Sequence, residues 1–564
     1  MNTIDQQTAV SPRQQRKVVA AASMGTLFEW YDFYLYGSLS TVIAHQFFSG
    51  VNPTAAYIFA LLAFAAGFVV RPFGSLVFGR LGDMAGRKYT FLITIVLMGV
   101  PTFIVGLLPS YESVGILAPC VLIVLRLLQG LAVGGEYGGA VTYVAEHSSR
   151  SNRGFHTSWL QTTGTLGLLL SLFVILGCRS ALGDDWFNDW GWRLPFLFSI
   201  VLLAISVWIR LKLHESPEFL KMKDEGKQSK APIRDTFANR KYSLRVLFAL
   251  LGCTAGLGVV AYTSQFYIQF FLLQTLKVDI LVVTELLTAA LVIALPFYIF
   301  FGWLADRIGR KKVILCGCLL ASLTYFPIYK SITHYANPAL EMALKTSPVT
   351  LHANPADCSF QFNPTGTASF LTACDTAKAL LIRHSVPYST VDEAVAGASI
   401  HVGSTVIDSV NGVGLSTDVL ETQRTAMDKQ LTEKLASQGY PLKADPAAIN
   451  KPMVVLLMVV LVIYLTMVYS PAAAWLVELF PPQIRYTATS LPYNIGNGWF
   501  GGFMPATAFA MVASTGDIYY GLWYPVVVAG CTFVIGLFCL PETRFGQDET
   551  ATEIKPTRVV TTAK

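Results

Sequence analysis

Charged residues are scarce in this chain. Lysine, arginine, aspartate and glutamate make up 13% of its 564 residues, whereas 53% are hydrophobic and the mean hydropathy is +0.51. Soluble domains carry about 25% charged residues, so the shortage excludes an ordinary soluble globular protein. Long apolar runs take the place of the missing charge. The composition is that of a polytopic membrane protein.

The apolar runs are numerous when each is read as a stretch of about 20 residues, the length that crosses a bilayer. No cleavable signal is evident, because the first run is interrupted by Glu29 and Asp32. We predict twelve membrane-spanning helices at 18–42, 55–80, 89–109, 113–140, 156–179, 193–213, 243–272, 280–304, 312–330, 452–476, 486–513 and 519–540.

Basic residues are nearly absent from one set of the short connections. They collect before the first helix, between the second and third, in the segment 210–245, and after the eighth helix. Because lysine and arginine mark cytoplasmic loops, we expect both termini to be cytoplasmic. The net charge of +6 then reflects topology, and we predict a lipid bilayer and no nucleic acid as partner.

Cysteine is sparse outside the apolar runs. Seven of the nine cysteines lie in predicted spans, where they usually behave as small buried hydrophobes. Cys316 and Cys318 point to different faces of a helix, and we predict no metal site and no cofactor. Only Cys358 and Cys374 lie in a polar insert, where an oxidising compartment favours a disulfide. Two free thiols are the alternative.

The chain also contains a pattern that is stated twice. The segment GRLGDMAGRK at 79–88 returns as GWLADRIGRK at 302–311, each between two long apolar runs. Further echoes follow in the same order: Glu146 with Arg153 and then 214–217 in the first half, Glu478 with Arg485 and then 540–543 in the second. One membrane unit has been duplicated, and duplicated bundles usually move a solute through the interface between the copies.

The predicted fold is an all-α polytopic membrane protein with twelve transmembrane helices in two pseudo-symmetric six-helix bundles. We expect a small extracytoplasmic insert domain between helices 9 and 10. In chain order the parts are a cytoplasmic tail at 1–17, the first bundle at 18–213, a cytoplasmic linker at 214–241, helices 7 to 9 at 242–330, the insert at 331–450, helices 10 to 12 at 451–541, and a cytoplasmic tail at 542–564.

The insert is polar and contains no run long enough to span a membrane. A helix is predicted from Thr417 to Gly439, with an acidic first turn and a lysine near its end. Glycine-bounded strands are predicted at 399–402 and 404–408. Low-complexity sequence is absent, so we expect a small folded cap rather than a disordered loop. Its role stays open.

The repeated loops are predicted to act as conformational latches. Their aspartates can accept hydrogen bonds at a helix N-terminus or pair with a nearby arginine, and their first glycines permit close helix approach. Such contacts form in one global conformation and break in the other. The predicted latch residues are Gly79, Asp83, Arg87, Gly302, Asp306, Arg307 and Arg310.

Buried charge is concentrated in the first half. Glu29, Asp32 and Tyr36 share one helical face, and two carboxyls this close in low dielectric resist double ionisation. That suits groups that take up and release a proton, and we add Glu136 to Asp32 and Glu29 as proton-coupling candidates. The alternative is a pair fixed by an arginine for packing.

Arg71 and Arg126 are the predicted binding groups for a substrate carboxylate, because a buried guanidinium can hold one in bidentate geometry. Either could instead neutralise an internal acid. The remaining substrate-binding candidates are Gln129, Tyr36, Tyr262, Gln265, Gln269, Tyr493, Asn494 and Asn497. Polar residues such as these can also simply tie helices together.

These motifs together resemble a major facilitator superfamily transporter, and more narrowly the metabolite:proton symporter family of citrate, 2-oxoglutarate, shikimate and proline/betaine carriers. The narrower resemblance rests on EWYDF at 29–33, RLLQG at 126–130, GGE at 134–136, WGWRLPF at 190–196, ELFP at 478–481 and IRY at 484–486. It covers most of 18–330 and 452–545. It implies a central cavity that opens alternately to each side, with Asp32 and Glu29 linked to inward proton movement.

Three features depart from the family pattern. Met84 stands where the first loop usually has a basic residue, which predicts a weaker latch there than around Arg307. The insert is much longer than the usual loop. The tail at 544–564 shows no heptad pattern, which argues against an osmosensor with a coiled-coil tail.

The sequence therefore predicts a secondary transporter, not an enzyme: a proton-coupled symporter that takes up a small organic solute, with a carboxylate favoured. It would act as a monomer in a bacterial inner membrane. A zwitterionic compatible solute such as betaine or proline is the first alternative. A facilitator without proton coupling and a sensor-like receptor that no longer transports are the others.

Overall fold

The computed structural model describes residues 12–49, 53–359, 370–384, 386–393 and 397–543. Its long helical segments form the framework of the molecule. They are α1 Pro12–Ser38, α2 Pro53–Met84, α3 Arg87–Leu107, α4 Leu117–Glu146, α5 Arg153–Leu182, α6 Arg193–Leu211, α7 Arg240–Thr275, α8 Ile280–Ile308, α9 Arg310–Ala336, α10 Lys451–Glu478, α11 485–515 and α12 Trp523–Cys539. The predicted tail at 544–564 lies outside the described residues.

Nine helices in the described part of the chain are long and apolar enough to cross a membrane, namely α3 to α10 and α12. The helices run further than the predicted spans at several ends. Helix α4 continues past residue 140 to Glu146, and α9 continues past residue 330 to Ala336. Apolarity sets the predicted limits, whereas the real helices carry polar turns beyond them.

Helices α7 and α11 are irregular where they cross each other. Helix α7 contains π-helical segments at Leu250–Thr254, Thr263–Tyr267 and Phe271–Thr275, and α11 contains one at Ile495–Gly501. Glycines let the two backbones touch, since a Cβ added at Gly258 would overlap a carbonyl of α11. Such π segments are rare and often occur at functional sites.

Small residues also set the packing within the first half. A Cβ added at Gly130 or Gly134 of α4 would overlap a carbonyl oxygen of α2, and one added at Gly167 of α5 would lie 2.5 Å from Cβ of Trp30. Glycine permits this close approach because membrane helices associate through tight packing rather than through exclusion of water. Arg71 and Glu136 are thereby held on neighbouring helices.

The segment between α9 and α10 contains a four-stranded sheet in the order β2-β1-β3-β4. The strands are β1 Val349–Ala353, β2 Ser389–Asp392, β3 Ala398–Val402 and β4 Thr405–Asp408, with β1 parallel to β2 and antiparallel to β3. Its helices are Pro338–Thr346, Ala373–Arg383 and Thr417–Ser437. The helix predicted from Thr417 and both predicted strands are confirmed; β1 and β2 were not foreseen.

The insert binds the outer connections of the second half. Tyr388 donates its backbone N–H to Gly516 O at 3.1 Å, and Ala444 donates to Lys277 O at 3.0 Å. Among the described residues, every hydrogen bond from the insert to the membrane helices and their connections goes to this half. The insert therefore forms part of the second half. The linker contains two short helices, Pro217–Asp224 and Pro232–Ala238.

Candidate functional site

Two related contacts close one end of the molecule, which we call the latch face: the repeated loops 79–88 and 302–311 and the helix ends they touch. Asp83 accepts hydrogen bonds from the backbone N–H groups of Tyr486 and Thr487, at 3.1 and 3.0 Å. Asp306 accepts from Gly154 and Phe155, each at 2.8 Å. Each aspartate of one half thus binds the N-terminus of a helix of the other half, where a negative charge is favourable.

Ion pairs repeat the same symmetry. Glu146 lies 2.9 Å from Arg485 of the other half and 3.5 Å from Arg87 of its own. Glu478 lies 3.2 Å from Arg153 of the other half and also pairs with Arg310 of its own. Arg87 and Arg310 further contact Asp83 and Asp306 at 3.4 and 2.9 Å. The duplicated acid–arginine pairs of the sequence are therefore exchanged between the halves.

The segments that close each half supply another repeated contact. Glu215 accepts from the backbone N–H groups of Arg87 and Lys88 at 3.1 and 3.2 Å, and Glu542 accepts from Lys311 at 3.1 Å. The preceding glycines, Gly86 and Gly309, have φ of 121° and 113°. The sequence shows both acids in equivalent positions, but their partners appear only in three dimensions.

The glycines of the latch lie at helix crossings, and one predicted member lies elsewhere. A Cβ added at Gly79 would lie 2.8 Å from Cα of Thr487, and one at Gly302 would lie 2.5 Å from Cβ of Ser158. Arg307 is exposed and packs over the ring of Trp303 at 4.0 Å. The structure therefore does not place Arg307 in the latch. Because Arg307 takes no part in these contacts, having methionine at position 84 and arginine at position 307 does not make the two latches differ.

Glu218, in the linker, breaks the symmetry. Its carboxylate pairs with Arg485 and lies 3.6 Å from Arg153, so it bridges one arginine of each half. Burial raises the pKa of this carboxyl, but the two arginines lower it more, and the pKa of Glu218 lies below its ordinary value. The linker helix therefore acts as a third fastening across the latch face.

A cavity lies between the halves. Its lining combines charged groups from the first half with aromatic rings from both. The lining residues are Thr26, Glu29, Trp30, Phe33, Arg71, Val133, Glu136, Tyr137, Ala140, Val141, Leu160, Gln161, Gly164, Tyr469 and Tyr493.

Among the described residues that line this cavity, Arg71 is the only arginine or lysine. Its side chain is buried, with the guanidinium carbon 4.8 Å from the centroid of the Phe33 ring and 4.4 Å from that of Phe68. Two of its nitrogens, Nε and Nη2, have no hydrogen-bond partner among the described residues. A guanidinium with free donors can accept a carboxylate in bidentate geometry.

Two carboxylates line the same cavity. Glu136 has no ion-pair partner within the described residues, although its side chain is largely buried. Glu29 pairs through Oε1 with Nη2 of Arg210 at 2.6 Å, and its Oε2 has no partner in the described part of the chain. The lining therefore holds one cation and two acids, of which one is already neutralised.

Asp32 and Arg126 lie inside the first half and not in the cavity lining. The guanidinium of Arg126 stacks over the ring of Tyr36 at 3.6 Å, within electrostatic range of Asp32. Gln129 donates to Thr102 at 2.6 Å. The predicted residues Asp32, Tyr36, Arg126 and Gln129 thus form one cluster, which is separate from Arg71 and Glu136.

The polar candidates of the second half divide between lining and packing. Tyr493 lines the cavity, stacks on Tyr137 at 3.3 Å and shares a hydrogen bond with Tyr469. Asn494 donates to Gly134 O at 2.8 Å and so ties the halves together. The others do not line the cavity: Asn497 donates to Tyr493, Tyr262 packs on Phe68, and Gln265 and Gln269 are half-buried in α7.

Sequence reasoning missed several residues of the site, among them Arg210, Tyr137 and Tyr469. Arg210 lies near the predicted end of an apolar run and reads as a topogenic charge, and nothing in the sequence indicates that it reaches Glu29. Tyr137 and Tyr469 are single tyrosines in apolar helices.

Cys358 and Cys374 form a disulfide with Cα atoms 5.2 Å apart. No cluster of three or more potential metal ligands occurs in the residues that the structure describes.

Several known proteins are similar to this chain in sequence. The family described as "Sugar (and other) transporter" matches residues 18–245. The α-ketoglutarate permease of Escherichia coli K12 is 34% identical, over 59% of this chain and 75% of its own. The proline/betaine transporter of the same organism is 34% identical over 58% and 67%, and its shikimate transporter 32% identical over 59% and 76%.

The fold is also that of solved structures. The proton:xylose symporter XylE, bound to 6-bromo-6-deoxy-D-glucose, superimposes with a TM-score of 0.60 over 94% of this chain and 96% of its own. Only 15% of the residues are identical, so this similarity concerns the fold alone.

Proposed function

The chain belongs to the major facilitator superfamily, in its metabolite:proton symporter family, and we propose that it takes up a small organic solute together with protons. It is a multi-pass membrane transporter and not an enzyme. We further propose that the twelve long helical segments all span a bacterial inner membrane, as two bundles with both termini in the cytoplasm. The latch face would then be cytoplasmic, and the insert would lie outside the membrane.

The observation that carries the proposal is the chemistry of the cavity lining. Nε and Nη2 of Arg71 have no hydrogen-bond partner among the described residues, the space they face is largely apolar, and a buried cation without a counter-ion is costly. A solute carboxylate would satisfy it. We therefore favour a carboxylate as the transported solute, which fits the α-ketoglutarate and shikimate named for two relatives.

The latch supports alternating access. Its contacts join the halves at one end only, so they hold the cavity closed on that side. Opening there requires that the Glu146 and Glu478 pairs separate. A transporter of this kind would load solute and proton from the opposite side, then break the latch. Three acids would take up and release the proton. They are Glu29, Glu136 and Asp32, of which Asp32 acts together with Arg126.

A zwitterion is the second candidate solute, favoured by a specific observation. The same lining holds Glu136, which has no ion pair among the described residues, and the rings of Trp30, Tyr137 and Tyr493. Aromatic faces and a carboxylate attract an alkylammonium group, while Arg71 would bind the opposite end. Relatives named as proline/betaine transporters fit this reading.

Uptake measurements test the proposal. The protein is expressed in cells that lack their own carriers, and entry of labelled α-ketoglutarate, shikimate, proline and glycine betaine is measured at pH 5.5 and 8, with and without an uncoupler. We expect accumulation of a carboxylate at pH 5.5 that the uncoupler abolishes. Uncoupler-insensitive uptake would indicate a facilitator, preference for betaine would indicate the second candidate, and no uptake would favour the receptor alternative.

A further inference from the structure

The pair formed by Glu29 and Arg210 occupies an unusual position. Both side chains are buried, at 3% and 1% exposed, and are joined at 2.6 Å. Arg210 makes two further contacts: Nη1 donates to Phe91 O at 2.9 Å, and its guanidinium carbon lies 3.4 Å from the centroid of the Phe91 ring. A Cβ added at Gly25 would lie 2.7 Å from Nη2. The guanidinium is therefore held at Nη1 and Nη2, while Glu29 Oε2 has no partner among the described residues and Glu29 lines the cavity.

Tyr486 of α11 enters the first half beside this pair. Its Oη donates to Gly135 O at 2.8 Å, and its backbone N–H binds Asp83. A Cβ added at Gly82 or Gly139 would overlap the Tyr486 side chain. The glycines of α2 and α4 thus form a slot that the tyrosine fills, and we call this the Tyr486 slot. It belongs to the latch face.

The slot and the ion pair lie within electrostatic range of each other. The hydroxyl group of Tyr486 interacts electrostatically with Arg210 and Glu29. It interacts in the same way with Asp83 and Arg87. Glu29 itself is faced by Arg210 and by Asp32, and it shares the cavity with Arg71 and Glu136. Among these groups, Arg210 is the cation bonded to Glu29.

We propose that Arg210 is the positioning residue that links the protonation of Glu29 to the release of Tyr486 from its slot. The inference rests on the proposed proton-coupled mechanism and adds the route by which the proton acts on the gate. When Glu29 is ionised, it neutralises Arg210, and the closed latch face contains a balanced pair. When a proton from the outer solution binds Oε2, Arg210 is left as an uncompensated cation behind the tyrosine.

An uncompensated buried cation disfavours the closed arrangement, because burial costs it hydration and, among the described residues, Glu29 is the acid that pairs with Arg210. Withdrawal of Tyr486 admits water to the guanidinium. Protonation of Glu29 therefore favours opening of the latch face. No covalent bond changes apart from the O–H bond, and the proton leaves Oε2 for the cytoplasm once the cavity opens there.

The test reads the gate without any solute. Ser490→Cys places a thiol one turn from Tyr486, at a position that is fully buried in the closed state. Purified full-length protein in detergent is treated with N-ethylmaleimide at a single pH of 7.5, and modification at position 490 is measured by mass spectrometry. A fixed pH keeps the reactivity of the thiol itself constant.

Glu29→Gln imitates the protonated carboxyl, and we expect at least a tenfold faster modification. Adding Arg210→Met removes the cation and should return the rate to that of the parent protein. Glu112→Gln is the control, since it makes the same change at an exposed acid of the first half, and it should leave the rate unchanged.

A rate for Glu29→Gln equal to that of the parent, or equally fast labelling in Glu29→Gln and in the double variant, would overturn the proposal. Gly139→Ala provides a second reading in case Glu29→Gln does not fold: it displaces the Tyr486 side chain directly and should accelerate modification. If it does not, Tyr486 is not the gate. Failure of the uptake assay alone would concern the transported solute and not this gate.

Discussion

Asp83 in the first half and Asp306 in the second bind the same kind of helix end in the opposite half, and the pairs around Glu146 and Glu478 match in the same way. The buried charges follow no such rule. Glu29, Arg71 and Glu136 all come from the first half, whereas the second half contributes Tyr469 and Tyr493 to the cavity. Duplication has kept the contacts between the halves and has let the residues that line the cavity diverge.

This difference between the latch contacts and the cavity charges has a physical reason. A latch works only if both halves separate together, so each contact is constrained by its partner across the interface. A cavity needs one set of charges, and a second buried set would add desolvation cost without adding binding. The insert adds a further difference, because the hydrogen bonds of its described residues to the membrane helices and their connections all go to the second half.

The largest expected effect concerns the binding chemistry. Arg71→Gln should lower uptake at least 100-fold, since it removes the cation of the cavity, which is worth about 3 kcal/mol when it pairs with a carboxylate. Arg71→Lys should recover only part of the activity because it loses the bidentate geometry. Arg80→Gln, an exposed position of the same helix, is the control. Normal uptake by Arg71→Gln would show that the charges of the first half do not bind solute.

The next effect concerns the two latches. Glu146→Gln should destabilise the closed state by about 3 kcal/mol and Glu478→Gln by about 2 kcal/mol, because Glu146 is fully buried and Glu478 is 14% exposed. Spin labels at Met84 and Arg307, both exposed, report the separation of the halves, after replacement of the exposed native cysteines. An effect confined to one of the two variants would break the proposed symmetry.

Glu218 should have a smaller effect. Its pKa is lowered by Arg485 and Arg153, so it stabilises the closed latch face while it is ionised, and this contribution is lost as the pH falls through the lowered pKa. Glu218→Gln should cost about 1 kcal/mol at neutral pH, a figure reduced for its partial exposure. The same spin-label distances should show a loss of acid sensitivity in the variant. If the latch face of the variant still opened at low pH as the parent protein does, the role of Glu218 as a third fastening would be contradicted.

The smallest effect is expected at Arg307, where a substitution should change neither uptake nor latch closure. Arg307→Gln should leave both uptake and latch closure within about 0.5 kcal/mol of the parent protein, because Arg307 contacts only an exposed tryptophan ring. The distance measurement is repeated with one spin label at position 84 and the second label moved from position 307 to an adjacent exposed site. A large loss of closure would restore Arg307 to the latch and make the halves unequal again.

Much of this arrangement can be predicted from the sequence because it is local or repeated. Apolar length gives the helices, and the repeated loops indicate their own equivalence. Contacts between distant segments cannot be predicted in this way. Arg210 looks like a charge at the end of a span, and only folding brings it to Glu29. Arg71 and Arg126 look alike in sequence, yet packing sends the first to the cavity and the second against Tyr36.

Proton movement during solute entry tests the account most directly. Purified protein is reconstituted in lightly buffered liposomes, α-ketoglutarate or glycine betaine is added outside, and the external pH is followed. We predict that solute entry raises the external pH with the parent protein and that Glu29→Gln abolishes this rise while a latch-face control, Arg307→Gln, does not. Solute entry without any change of pH in the parent protein, or an equal rise in Glu29→Gln, would contradict proton coupling through the buried acids of the first half.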